Sequence, residues 1–197
     1  MATRKIRELY DLVEGIQTAM FTTRRRDGHL VSRPMATQKR SPGADFWFVT
    51  YEGASKLDEI AHDPHVNLSY YRDRTREYVS VSGVAETSQN RRKIRELYEP
   101  DWKAWFGDEG GKKDGGPDDP RMILIKVRAH SASFLDVKKP QPVVLFELLK
   151  GMVTGTKPDI GRTQRVRGSD VPVAGRRSPT ARPRRASARR RPRAKKR

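Results

Sequence analysis

Cysteine is absent from this 197-residue chain. Its absence excludes disulfide stapling and any thiolate metal site, and it fits a reducing compartment such as the cytoplasm. Long apolar runs are missing too. The opening Met1-Ala2-Thr3-Arg4-Lys5 leads straight into an amphipathic pattern, so neither a signal peptide nor a membrane span is expected. Hydrophobic residues make up only 35% of the chain, low for a globular protein of this length.

The shortage is local. From Gly161 to Arg197 there are 15 Lys and Arg against a single acid, Asp170, and the only apolar residues larger than alanine are three valines. Such a segment is not expected to build a core. Of the chain's formal charge of +18, about +14 belongs to this stretch, which leaves about +4 for residues 1–160. The expected organisation is therefore one domain over residues 1–157 and a basic, Pro- and Arg-rich disordered tail over 158–197. Pro179, Pro183 and Pro192 oppose a continuous helix in the tail, whose charge would draw it weakly and non-specifically to nucleic-acid phosphates.

What is present before the tail reads as short strands with helices at the periphery. Thr3 is placed to cap a helix that buries Ile6, Leu9, Tyr10, Val13 and Ile16. Asp27-Gly28 marks a hairpin between strands at Met20–Thr23 and His29–Thr37. Asp45–Tyr51 is a third strand, and Ser55 is placed to cap a short helix running to about Ala61. Val66–Tyr71 and Glu77–Ala85 form the next pair, with Gly83 marking a bulge or a close backbone approach. A polar helix follows at Gln89–Tyr98, and then a loose run from Gly107 to Pro117 that reads as a mobile surface insertion. Met122–Val127 is a strand, Ser131–Leu135 its short antiparallel successor, and Val143–Met152 a helix that stops near Gly155. This order lacks the strand–helix alternation of a doubly wound fold. The expected class is mainly β with peripheral helices: a six-stranded antiparallel split β-barrel, whose closure removes exposed sheet edges.

One group of residues suggests chemistry. Arg33 and Lys56, with the hydroxyls of Ser32, Thr50 and Ser55, offer converging donors near element ends, as a phosphate requires. Ser55 and Lys56 lie at a helix start, where backbone amides add attraction for an anion. Pro34 cannot donate to a sheet ladder and belongs at an edge. The plainer reading of the same residues is an edge strand with a surface arginine. The histidines, His29, His62, His65 and His130, show no ligand spacing, so no metal site is expected.

The stretch Phe21-Thr22-Thr23, Asp27-Gly28-His29-Leu30, Ser32-Arg33-Pro34-Met35, Phe46-Trp47-Phe48-Val49-Thr50 and Ser55-Lys56 resembles the FMN-binding split-barrel, or pyridoxamine 5'-phosphate oxidase-like, superfamily, in particular its bacterial general stress protein branch. The likeness continues through Pro64–Tyr70, Tyr78–Ala85, Trp102–Phe106, Asp118-Asp119-Pro120 and Leu124–Val127. It implies a homodimer with FMN in a groove between two barrels. Arg33, Ser55 and Lys56 would hold the phosphate, Pro34, Met35, Phe48, Val49 and Thr50 would line the flavin mostly through backbone and apolar contacts, and Trp105 would close the site from the partner subunit. The implied activity is that of a flavin-dependent oxidoreductase linked to stress or redox metabolism, with a small-molecule electron donor or acceptor. Other readings are the deazaflavin F420 or a haem breakdown product in the same fold, and a non-enzymatic dimeric barrel whose tail binds nucleic acid.

Overall fold

The computed structural model describes residues 2–137, 141–155 and 161–167. Helix α1 (Ala2–Ile16) leads into the hairpin β1 (Thr18–Arg24) and β2 (Leu30–Ala36), then β3 (Phe46–Tyr51), helix α2 (Ser55–His62), and the pair β4 (His65–Arg72) and β5 (Glu77–Ser88). Helix α3 (Arg91–Leu97), a 3-10 turn (Pro100–Trp102) and the single turn α4 (Lys103–Phe106) precede β6 (Met122–Asp136), α5 (Gln141–Thr154) and β7 (Arg162–Arg167). All strand pairs are antiparallel, and the hydrogen-bonded order is β2-β1-β4-β5-β6-β3, with β7 added on β6. The fold is the expected six-stranded split barrel with peripheral helices.

The split lies between β2 and β3, which end the strand order at its two limits. Just beyond β2, the Gln38 amide donates to the Trp47 carbonyl of β3 at 2.8 Å and ties the lips together there. Period-two alternation sorts the side chains of both lips. On β3, Phe46 and Phe48 point into the main core, where Phe48 meets Phe21 edge-on at 5.1 Å, whereas Trp47 and Val49 face a second cluster built with Ile94, Leu97 and Trp102. Leu9, Tyr10 and Val13 of α1 pack into the main core as their spacing predicts.

Four expectations change. Helix α1 already includes Ala2, so Thr3 lies within it and is not its cap. The Met122–Val127 strand and its supposed successor are one 15-residue strand, β6. The register against β5 shifts between Ser82 and Gly83, which leaves His130 as an extra residue opposite that step, and this bulge mimics a turn in the sequence. Gly83 is the close approach foreseen: a Cβ there would lie 2.3 Å from the Arg128 carbonyl oxygen.

The domain also extends past residue 157. Strand β7 pairs residue by residue with β6 from Asp136↔Arg162 to Ser131↔Arg167, Val166 is 4% exposed within the main core, and Gln164 donates to Glu8 of α1 at 2.8 Å. Backbone pairing needs no apolar side chains beyond the one that faces inward, so a basic segment suffices for a strand. The rest of the expected tail, 158–160 and 168–197, lies outside the described residues.

The run Gly107–Pro117 is not a loose insertion. Asp119, fully buried, accepts from the amides of Gly115 and Arg121 and from the Arg121 guanidinium. Arg121 donates in turn to the carbonyls of Phe106, Gly107 and Lys113 and to Glu109. Arg121 therefore ties the first part of the excursion to the start of β6, and Asp119 holds Gly115 near its end.

Candidate anion site at the split of the barrel

Helix α2 packs against β1 and β5, and its side chains reach both lips of the split. Lys56 Nζ donates to Thr50 Oγ1 of β3 at 2.9 Å. One turn later, Glu59 receives Arg33 of β2 in a two-point contact, Nη1 to Oε2 at 2.9 Å and Nη2 to Oε1 at 3.1 Å. Thr23 of β1 completes the group: its hydroxyl accepts from Arg33 Nη1 at 2.8 Å and donates to Glu59 Oε2 at 2.5 Å. The helix opens on Ala54, which has extended backbone and supplies no side-chain cap, so the first turn's amides receive no side-chain acceptor. Ser55 is the first helical residue and not the cap expected of it.

Electrostatics follow from this packing. Burial pushes the Lys56 ammonium below its ordinary value, and the Arg33 charge pushes it further, while Glu59 opposes both. Burial alone would raise Glu59; hydrogen bonds from Arg33 and Thr23 outweigh it and hold the carboxyl below its usual range. At neutral pH the cluster thus carries two cations and one anion. Its net positive charge, together with the uncapped helix start, suits an incoming anion with several oxygens.

The structure brings Arg33, Thr50, Ser55 and Lys56 to one place. The side chains of the other residues expected to line a flavin mostly through backbone and apolar contacts lie apart from this cluster. Met35 and Phe48 are buried in the main core, Val49 packs on the second cluster, and Pro34 faces outward on the edge strand opposite Met20, so only backbone atoms of Met35, Phe48 and Val49 remain for a ligand at the lips. Trp105, expected to act on a partner subunit's site, stands on α4 at 84% exposure. Thr23 and Glu59 were missed. A polar threonine facing the core side of a strand and an acid on the inner face of α2 were the available signals, but their partner, Arg33, is 26 residues from Glu59.

A separate cavity of about 280 Å³ lies between α1 and the β2–β3 connection. Arg40 lies over the Tyr10 ring there at 3.7 Å, and burial, with the Asp45 charge, pushes the Tyr10 hydroxyl up to about 12.

Residues 4–159 match the family model described as pyridoxamine 5'-phosphate oxidase like. The chain belongs to that family. Among its relatives, protein bli-3 of Neurospora crassa is 33% identical over 171 residues, covering 85% of this chain and 82% of its own length. A general stress protein 26-type structure from Jannaschia sp. CCS1 superposes with a TM-score of 0.65 at 27% identity, covering 85% of this chain and 99% of that one. The general stress FMN/FAD binding protein of Xanthomonas citri, 22% identical, shares the fold with a TM-score of 0.54 over 66% of this chain and 88% of its own. Membership in the pyridoxamine 5'-phosphate oxidase-like family agrees with the split barrel.

Proposed function

We propose that the chain binds FMN with its phosphate where α2 reaches both lips of the split, and that it works as a flavin-dependent oxidoreductase. The observation that carries this reading is the meeting of Lys56, Arg33 and the uncapped start of α2 across the barrel's split. Lys56 retains two N–H donors after its bond to Thr50, and a phosphate needs several such donors at once. The Xanthomonas citri relative is described as binding FMN or FAD, which supports the same reading. When bound, the flavin supplies the hydride and electron chemistry. The protein's own part is to hold the phosphate, present backbone along β2 and β3, and exclude water with the apolar groups around the split.

A homodimer fits the exposed apolar groups. On the outer face of the hairpin Met20 is 43% exposed, and α5 presents Leu145, Phe146, Leu149 and Met152 at 53–80% exposure, spaced by three and four residues along one face. A second copy covering these faces would wall the groove from the other side.

The test is the absorption spectrum of the purified protein, followed by titration with FMN. A yellow protein, or one that takes up FMN stoichiometrically, supports the proposal. Exclusive uptake of F420, or of no flavin at all, refutes it.

A further inference from the structure

Arginine has five N–H donors in a rigid plane, and on Arg33 those at the Nη1/Nη2 end already face Thr23 and Glu59. Nη1 donates toward Thr23 Oγ1 and Glu59 Oε2, and Nη2 donates to Glu59 Oε1. The end of the guanidinium fork is thereby closed. The donors left are Nε–H and the second hydrogen of Nη2, which lie parallel on the side of the same plane and form another two-point fork. Arg33 is a fifth exposed at its side chain and Glu59 a tenth, so the clamp is sheltered enough to hold its geometry.

Resting on the reading of this cluster as a phosphate site, we infer that Glu59 is a positioning residue that selects which edge of Arg33 the phosphate meets. Glu59 and Thr23 hold the guanidinium from below and leave its Nε/Nη2 side to the ligand. Glu59 also neutralises one of two neighbouring cations, so Arg33 and Lys56 can share the site before any anion arrives. The consequence runs against simple charge counting. Removing a negative charge beside an anion site should strengthen anion binding, whereas removing this one frees the guanidinium to turn and weakens it.

The experiment is a double-mutant cycle of Glu59→Gln and Arg33→Ala, with Glu59→Ala as a second variant, read by binding of FMN, of riboflavin and of inorganic phosphate (31P line width) to the full chain. Glu59→Gln should weaken FMN and phosphate on the order of tenfold, the scale of one charged hydrogen bond. Riboflavin, which lacks the phosphate, should bind as before and thereby report an intact fold. In the Arg33→Ala background the Glu59 substitutions should produce no further loss. Unchanged or tighter binding of FMN and phosphate in Glu59→Gln would overturn the inference while leaving the flavin reading standing. Loss of phosphate binding in Glu59→Gln, in a protein whose wild type takes up no FMN, would do the reverse.

Discussion

Lys56 and Glu59 stand three residues apart on α2 and hold opposite lips of the split barrel, Lys56 through Thr50 of β3 and Glu59 through Arg33 of β2. A helix one turn further along would reach neither pair. The same helix gathers the charge that a phosphate needs, so the structural clasp and the candidate site are one set of residues.

The lowered Lys56 value sets the pH dependence of anion binding. An incoming phosphate favours the charged ammonium, so binding takes up a proton wherever free Lys56 is neutral. FMN affinity should fall as pH rises through the lowered value, before the ordinary lysine range near 10.5 is reached. Lys56→Met should remove that alkaline limb; titrations between neutral and alkaline pH measure it.

Asp119 gives a stability signature at the other end of the scale. Hydrogen bonds from Arg121 and from the Gly115 and Arg121 amides outweigh burial and hold it near 2, against 3.8 unperturbed. Because the folded value is depressed, its contribution is complete above about pH 4 and is lost as pH falls toward 2. It amounts to roughly 1–2 kcal/mol once solvent screening is allowed for. Asp119→Asn should flatten acid unfolding over that window. Arg121→Ala should raise amide exchange across 107–119 while leaving β4 and β5 protected.

Much of this was legible in the sequence, and the exceptions have physical causes. That Arg33 and Lys56 come near one another could be anticipated because charged groups flanked by hydroxyls signal themselves locally. Glu59 could not, since an acid on a polar helix looks like solvated surface until the fold sets Arg33 against it. Strand β6 was broken in two by the bulge at His130, where a small polar stretch imitates a turn. Strand β7 was hidden in basic composition, with Val166 its single apolar mark.

At Gly83 a methyl group would collide with backbone and not with a movable side chain. Gly83→Ala should therefore destabilise the barrel by about 3 kcal/mol, at the upper end of overpacking effects. Chemical denaturation measures it, with Ser82→Ala as the exposed neighbour that should change stability little.

Truncation separates fold from tail. Ending the chain after Arg167 should leave the melting temperature within a degree or two and strongly weaken salt-dependent retention on heparin or DNA, because 11 of the 18 net positive charges are removed. Ending it after Lys157 should also destabilise the domain by about 2 kcal/mol, since Val166 and the β6 pairing are lost with it. Equal melting temperatures for the two truncations would mean that β7 contributes nothing.

The most direct measurement is the ratio of FMN to riboflavin affinity in the wild type and in Lys56→Ala, by calorimetric titration at neutral pH. A phosphate held where α2 reaches both lips of the split predicts a wild-type preference for FMN that falls about tenfold or more in Lys56→Ala, with riboflavin binding unchanged. A protein that binds both ligands equally, or whose preference for FMN survives the loss of Lys56, would contradict it.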